Sequence, residues 1–149
     1  MATAEASIRL PVSVAEVWDA YFWAPGWPRW VDGFAAVVGS EGYPELGGIL
    51  RWQSIPAGRG EVSERVLEHE HRRLHRVEFA DPTMAGEFET RFAITGDGVE
   101  LTQTLNYRVV AAGPITRMAA ALFVRGQVRA SLERSLSGFR EFVEESGSG

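Results

Sequence analysis

PITRMAAALFVRGQVRASLERSLSGFREFV, residues 114–143, decides the fold. It opens at Gly113-Pro114, where a proline in the first helical turn gives up only an N–H that would have no partner anyway, and no proline follows. Ile115, Met118, Ala119, Leu122 and Phe123, then Leu132, Leu136, Phe139 and Val143, recur at helical spacing. A helix of this length runs about 45 Å, enough to cross a small domain from end to end. The apolar stripe changes face around Arg125-Gly126-Gln127-Val128-Arg129. Gly126 there marks a kink or a close backbone approach, or else the middle of the helix faces something other than a dry core. Arg125 and Arg129 either snorkel to solvent or reach the rim of a pocket.

A long amphipathic helix needs a surface to cover, and the middle of the chain supplies one. From Phe34 onward the apolar period is two, with strands expected at 34–40, 49–54, 60–68, 72–80, 85–95 and 99–109. The breaks carry turn chemistry: Glu41-Gly42-Tyr43-Pro44, Pro56-Ala57-Gly58, Asp81-Pro82 and Gly96-Asp97-Gly98. Such short connections imply an antiparallel meander. Alternation places Leu50 and Trp52; Val62, Glu64 and Val66; His75, Val77 and Phe79; Phe88, Thr90, Phe92 and Ile94; and Val99 to Tyr107 in steps of two on one face. The other face carries Arg51, Glu87, Glu89, Arg91 and Glu100 and is wet.

Upstream, a short strand is expected over Glu5–Leu10, ending at Pro11. Ser13 with Glu16 forms a capping-box signal for a helix carrying Val14, Val17, Trp18 and Tyr21. Four of the five tryptophans, Trp18, Trp23, Trp27 and Trp30, fall within thirteen residues, interrupted by Pro25, Gly26 and Pro28. Some of these indoles plug one end of a core, or one or two line a cavity mouth. The expected fold is α+β: a bent antiparallel sheet of about seven strands around a long C-terminal helix, with two short helices after the first strand.

Bulk composition narrows the function. The chain has 149 residues and a net charge of −5, with no basic cluster, so nucleic-acid binding is not expected. No apolar run reaches membrane-spanning length, no signal peptide is visible, and a cytoplasmic location is the expectation. There is no cysteine, and all fifteen basic residues are arginine. Thiol chemistry, thiolate metal sites and side-chain Schiff bases are therefore excluded. No cofactor is called for. Residues 1–145 read as a single domain and Ser146-Gly147-Ser148-Gly149 as a flexible tail.

Pro11-Val12-Ser13-Val14-Ala15-Glu16-Val17-Trp18, Trp27-Pro28-Arg29-Trp30, Gly48-Ile49-Leu50-Arg51-Trp52, Gly58 to Val66 and Arg72-Arg73-Leu74, taken in this order, resemble the START-like or SRPBCC superfamily, in particular its polyketide cyclase/dehydrase-like branch. The resemblance covers nearly the whole chain and implies the helix-grip fold, with a hydrophobic or amphipathic ligand held between sheet and long helix. It does not imply a reaction, because such proteins include binders, carriers, cyclases and partner-activating domains.

Three functions follow as expectations. The first is binding of a small hydrophobic or aromatic molecule, lipid- or polyketide-like, in an internal cavity by a monomer or homodimer. Trp27, Trp30, Trp52, Phe79, Phe88, Phe92, Tyr107 and Phe123 are its lining candidates, with Glu64, His75, Gln103 and Arg129 as polar contacts. The second is an aromatase/cyclase-like enzyme driving aldol closure and dehydration, with catalytic candidates Glu64, His75 and Tyr107. Val66 opposite His75 would bring Glu64 beside the imidazole, where an acid orients a general base. Gln103 could donate to a developing enolate and Arg129 hold a carbonyl oxygen. The third is a protein-interaction module, marked by a filled cavity and an exposed apolar patch. His69 and His71 with Glu68 and Glu70 fall at a hairpin tip too loose for a metal site, and none is expected.

Overall fold

Seven strands form one antiparallel sheet. The computed structural model describes the backbone of residues 1–110 and 114–148, and side chains outside 111–123 and 147–149. The strands are β1 (Ala2–Leu10), β2 (Phe34–Glu41), β3 (Ile49–Ser54), β4 (Glu61–Glu70), β5 (Leu74–Ala80), β6 (Met84–Ile94) and β7 (Val99–Val109). Their spatial order is β1-β7-β6-β5-β4-β3-β2, so β2 to β7 meander and β1 returns to close the far edge. Between β1 and β2 lie α1 (Val14–Tyr21), a single 3-10 turn (Ala24–Gly26) and α2 (Trp27–Trp30). The long helix, α3, spans Pro114–Ser148.

The sequence dictates these elements locally. Ser13 Oγ accepts the Glu16 N–H at 3.2 Å and starts α1. Alternating burial on β3 and β7 follows the alternating sequence. On the convex side, Arg65–Glu78, Arg76–Glu68, Arg76–Glu87 and Arg91–Glu89 pair across and along strands. Exposed pairs of this kind contribute ~0–1 kcal/mol each, so they mark the wet face rather than hold the sheet.

Several details depart from the sequence-based expectation. Strand β4 runs to Glu70, two residues further than expected, and a bulge between Val66 and Glu68 resets its pairing with β5. On one side of the bulge Val66 faces Val77 and Glu64 faces Phe79, and on the other His75 faces His69. Ile94 ends β6 exposed rather than on the covered face. On α3, buried Val124, Val128, Leu132, Leu136, Phe139 and Val143 form a stripe in steps of three and four, while the side chains of Ile115, Ala119 and Leu122, on which the expected change of face rests, lie outside the described residues. A Cβ at Gly126 would meet nothing, whereas one at Gly138 would stand 3.2 Å from the Trp30 carbonyl oxygen. The close approach is made there, by α2. The helix also continues into the stretch expected as a tail, with Ser146 Oγ donating to the Phe142 carbonyl at 2.9 Å in its last turns.

The buried apolar residues fall into two clusters. One gathers Val17, Trp18, Tyr21, Trp27, Trp30, Phe34, Leu50, Trp52 and the C-terminal part of α3. The other gathers Phe79, Met84, Leu105 and Tyr107 around Val124, Val128 and Leu132.

Candidate functional site

A cavity of about 110 Å³ lies where the core divides. Both clusters contribute to its wall. Trp27, Trp30, Phe34 and Trp52 come from one, and Phe79, Leu105 and Leu132 from the other. Val77 and Phe88 complete its apolar wall from β5 and β6. An apolar protein cavity of ~150 Å³ stays dry and accepts benzene, so this smaller space takes at most one small ring as it stands, not a long acyl or polyketide chain.

Glu64 is one of two carboxyl residues on the cavity wall, the other being Asp32. Glu64 Oε2 accepts the Trp52 indole N–H at 3.0 Å. Burial pushes this carboxyl above the usual range, opposed by that hydrogen bond and by the positive charge of Arg59. Arg59 stands at the mouth, its guanidinium carbon 5.6 Å from the Trp52 ring centre and 5.4 Å from that of Phe79. Its Nε donates to Asp81 Oδ2 at 2.8 Å, and the Asp81 side chain has no solvent exposure. Asp81 Oδ1 in turn accepts the N–H groups of Thr83 and Met84, so the arginine is anchored by a turn. Tyr43 also lines the cavity, its phenol pushed up first by burial and then by the nearby Glu64.

A row of polar residues crosses the concave floor. His75 on β5 pairs in register with Thr90 on β6, which pairs with Gln103 on β7. All three are at least 97% buried. The Tyr21 hydroxyl hangs over the row from α1, 2.8 Å from Thr90 Oγ1, and accepts from Gln103 Nε2 at 3.2 Å. Burial pushes the Tyr21 phenol up to about 12. His75 Nδ1 lies 3.0 Å from His69 Nδ1, a distance that requires one ring to donate and the other to accept. Desolvation, then the neighbouring His69, pushes His75 down to about 3, so it is neutral at physiological pH. Three buried atoms on cavity-lining residues have no partner: Trp30 Nε1, His75 Nε2 and Gln103 Oε1.

Asp32 latches the α2–β2 connection to α3. Asp32, between α2 and β2, accepts Arg134 Nε at 3.0 Å, Arg134 Nη2 at 2.9 Å and Ser131 Oγ at 2.8 Å. Its own N–H donates to Ser135 Oγ at 2.9 Å. The Arg134 fork holds the Asp32 carboxyl below its usual range.

Of the residues singled out from sequence, Trp27, Trp30, Trp52, Glu64, His75, Phe79, Phe88 and Gln103 line this cavity. Phe92 does not. It packs on Trp18 and Tyr21, at 4.9 and 5.5 Å between ring centres, inside the first cluster. Tyr107 is buried in the second cluster away from the cavity, its hydroxyl without a partner. Arg129 turns outward, its side chain 73% exposed and paired with Glu133 one turn on, which is the snorkelling arrangement. The Phe123 side chain lies outside the described residues. Glu64 and His75 share the cavity, but the hairpin register sets Glu64 opposite Phe79 and His75 opposite His69, so the acid bonds Trp52 and the imidazole contacts His69. Among the described residues no group of three or more His, Asp or Glu side chains is arranged to hold a metal ion, and no helix is long and apolar enough to cross a membrane.

Sequence reasoning missed Tyr21, Asp32, Tyr43, Arg59, Ser131 and Ser135. Tyr21 was within reach, because it follows Val17 and Trp18 on the apolar face of α1. The others sit in turns or at the edge of the α3 stripe, where no period announces the direction of a side chain.

Comparison with known proteins adds the following. The sequence profile of a family described as "Polyketide cyclase / dehydrase and lipid transport" matches residues 1–144. No curated protein sequence matches significantly. Among solved structures, norcoclaurine synthase from Thalictrum flavum superposes with a TM-score of 0.71 at 16% identity, covering 95% of this chain and 92% of its own. The same enzyme with dopamine and hydroxybenzaldehyde bound gives 0.67 at 17%, covering 97% and 87%. A protein from Thermus thermophilus gives 0.69 at 20%, covering 97% and 99%. At these identities the structural likeness concerns the fold.

Proposed function

Starting from a chain that belongs to the polyketide cyclase/dehydrase and lipid transport family, we propose that this protein binds a small, single-ring-sized apolar or aromatic molecule in the cavity between sheet and α3. The observation that carries the reading is the aromatic-walled space of about 110 Å³ at the division of the core. A well-packed interior leaves few voids larger than a water molecule, so a void bordered by three indoles is a binding feature. Norcoclaurine synthase, of the same fold, has been solved with two small aromatic compounds, which fits the size. Longer lipid or polyketide ligands require the Asp32 latch to open.

Three of the five tryptophans line the cavity, so their fluorescence reports occupancy. Titration with single-ring aromatics gives saturable quenching at one site per chain on this reading. A panel of such compounds that neither quenches nor raises the melting temperature overturns it, and the filled-core interaction module then becomes the better account.

A catalytic reading has one observation in its favour. Glu64 is a carboxyl of raised proton affinity on a cavity wall, the kind of group that serves in general acid–base chemistry. Polyketide cyclisation by this residue predicts that Glu64→Gln abolishes turnover of a β-keto substrate while leaving quenching by that substrate intact. Unchanged turnover removes Glu64 from the role.

A further inference from the structure

One part of the cavity wall is built differently from the rest. Val31, Asp32, Ser131 and Ser135 line the cavity and are also partly exposed, so the wall is thin there. Hydrogen bonds close it. Asp32 Oδ1 accepts from Arg134 Nε, Oδ2 accepts from Arg134 Nη2 and Ser131 Oγ, and the Asp32 N–H donates to Ser135 Oγ. The other partly exposed lining residues are held more firmly. Glu64 and Phe88 stand on β4 and β6, inside the backbone ladder of the sheet. Tyr43 packs among the rings of Phe22, Trp27 and His75. Arg59 bonds Asp81, whose side chain has no solvent exposure and also accepts two backbone N–H groups. Parting that pair would strand a buried charge. Asp32 and Arg134, with side chains 28% and 60% exposed, both regain water when they separate.

We propose that the seam between residues 31–32 and α3 is the gate by which a ligand enters and leaves the cavity, with Asp32 as its latch. This rests on the cavity-binding reading above and adds the route. A space walled by packed rings and paired strands admits a ligand only where the wall parts, and every bond of this seam is one that water replaces on both sides. The segment that moves is short and held at both ends. On one side Trp30 packs on α3, its carbonyl oxygen 3.2 Å from where a Cβ at Gly138 would stand. On the other Gly33, at a φ of 71° that glycine adopts without strain, accepts the Ile55 N–H at 2.8 Å. Residues 31 and 32 thus swing between fixed points and fall back into place. Because the latch is shut both before and after binding, it governs the rate of passage and not the affinity.

The experiment measures benzene exchange at neutral pH, by magnetisation-transfer NMR, in the wild type and in Arg134→Ala, an exposed position that does not line the cavity. In the variant, association and dissociation both speed up about fivefold while the dissociation constant stays within about twofold. Arg134→Met, which keeps the apolar stem and loses the fork, carries the same expectation if the alanine variant fails to fold. Arg65→Ala is the control. It breaks an exposed ion pair with Glu78 on the convex face and leaves both rates within about twofold of the wild type. Rates in Arg134→Ala that match those of the control overturn the gate and leave the cavity reading standing. Faster dissociation with no change in association, and so a weaker affinity, also overturns the gate, since the latch would then be an ordinary contact of the bound state. A wild type that does not bind benzene overturns both readings.

Discussion

Glu64 and His75 share one cavity wall, and burial moves their proton affinities in opposite directions. The Glu64 carboxyl has a higher pKa folded than its ordinary 4.5, so the folded state holds the proton more tightly. Stability attached to that proton is present below pH 4.5 and is lost as pH rises through the folded value. Glu64→Gln keeps an oxygen for the Trp52 indole N–H and removes the buried charge. Its melting temperature is expected to exceed that of the wild type at pH 7–8 and to match it near pH 4, as read by thermal scans across that range. His75 has the opposite sign. Its folded pKa of about 3 lies below the ordinary 6.5, so its contribution is intact above pH 6.5 and is lost as pH falls toward 3. His75→Leu is expected to keep more of its neutral-pH stability across that window. A variant that unfolds in acid as steeply as the wild type would show that the imidazole is already charged in the fold. Much of this wall was legible from alternation alone, which placed Glu64, His75, Thr90 and Gln103 on the covered face. Their partners were not legible. A single extra residue at the Val66–Glu68 bulge exchanges His75's neighbour, and no periodicity records it.

At the scale of elements, α3 carries the strongest sequence signal. From Val124 onward its buried residues make one stripe, and Gly126 is no part of it. That glycine is exposed, with open space where a side chain would go. Gly126→Ala is expected to stabilise the protein by about 0.5–1 kcal/mol, through the lower backbone entropy of alanine in the unfolded chain. Denaturant midpoints measure this, and a loss of stability would mean that the helix needs to bend there. The meander, its turns and the two short helices were readable because turn chemistry punctuates alternating runs. The Asp32 latch was not, because its partners Ser131 and Arg134 lie about a hundred positions away on another element. Only the packing of α2 onto Gly138 brings them together.

For the whole molecule, the division of the core ties stability to occupancy. The same cavity borders both apolar clusters, so a ligand that fills it joins them, and binding to the folded state alone adds free energy by mass action. At a hundred times the dissociation constant the gain is about 2.7 kcal/mol. For a domain of this size that corresponds to a melting temperature raised by roughly 5–10 °C. Differential scanning calorimetry with and without a single-ring aromatic ligand checks it, and an unchanged midpoint would mean that the ligand does not bind the folded state in preference to the unfolded chain.

The pairing of β1 with β7 sets an order of events that the finished structure hides. Ala2 lies opposite Tyr107 and Leu10 opposite Val99, so β1 lacks its sheet partner until β7 has been synthesised. At ~5–20 residues per second, the N-terminal strand waits roughly 5–20 s with its backbone bare. Translation thus delivers the meander first, and the chain's opening residues act as its closing seam.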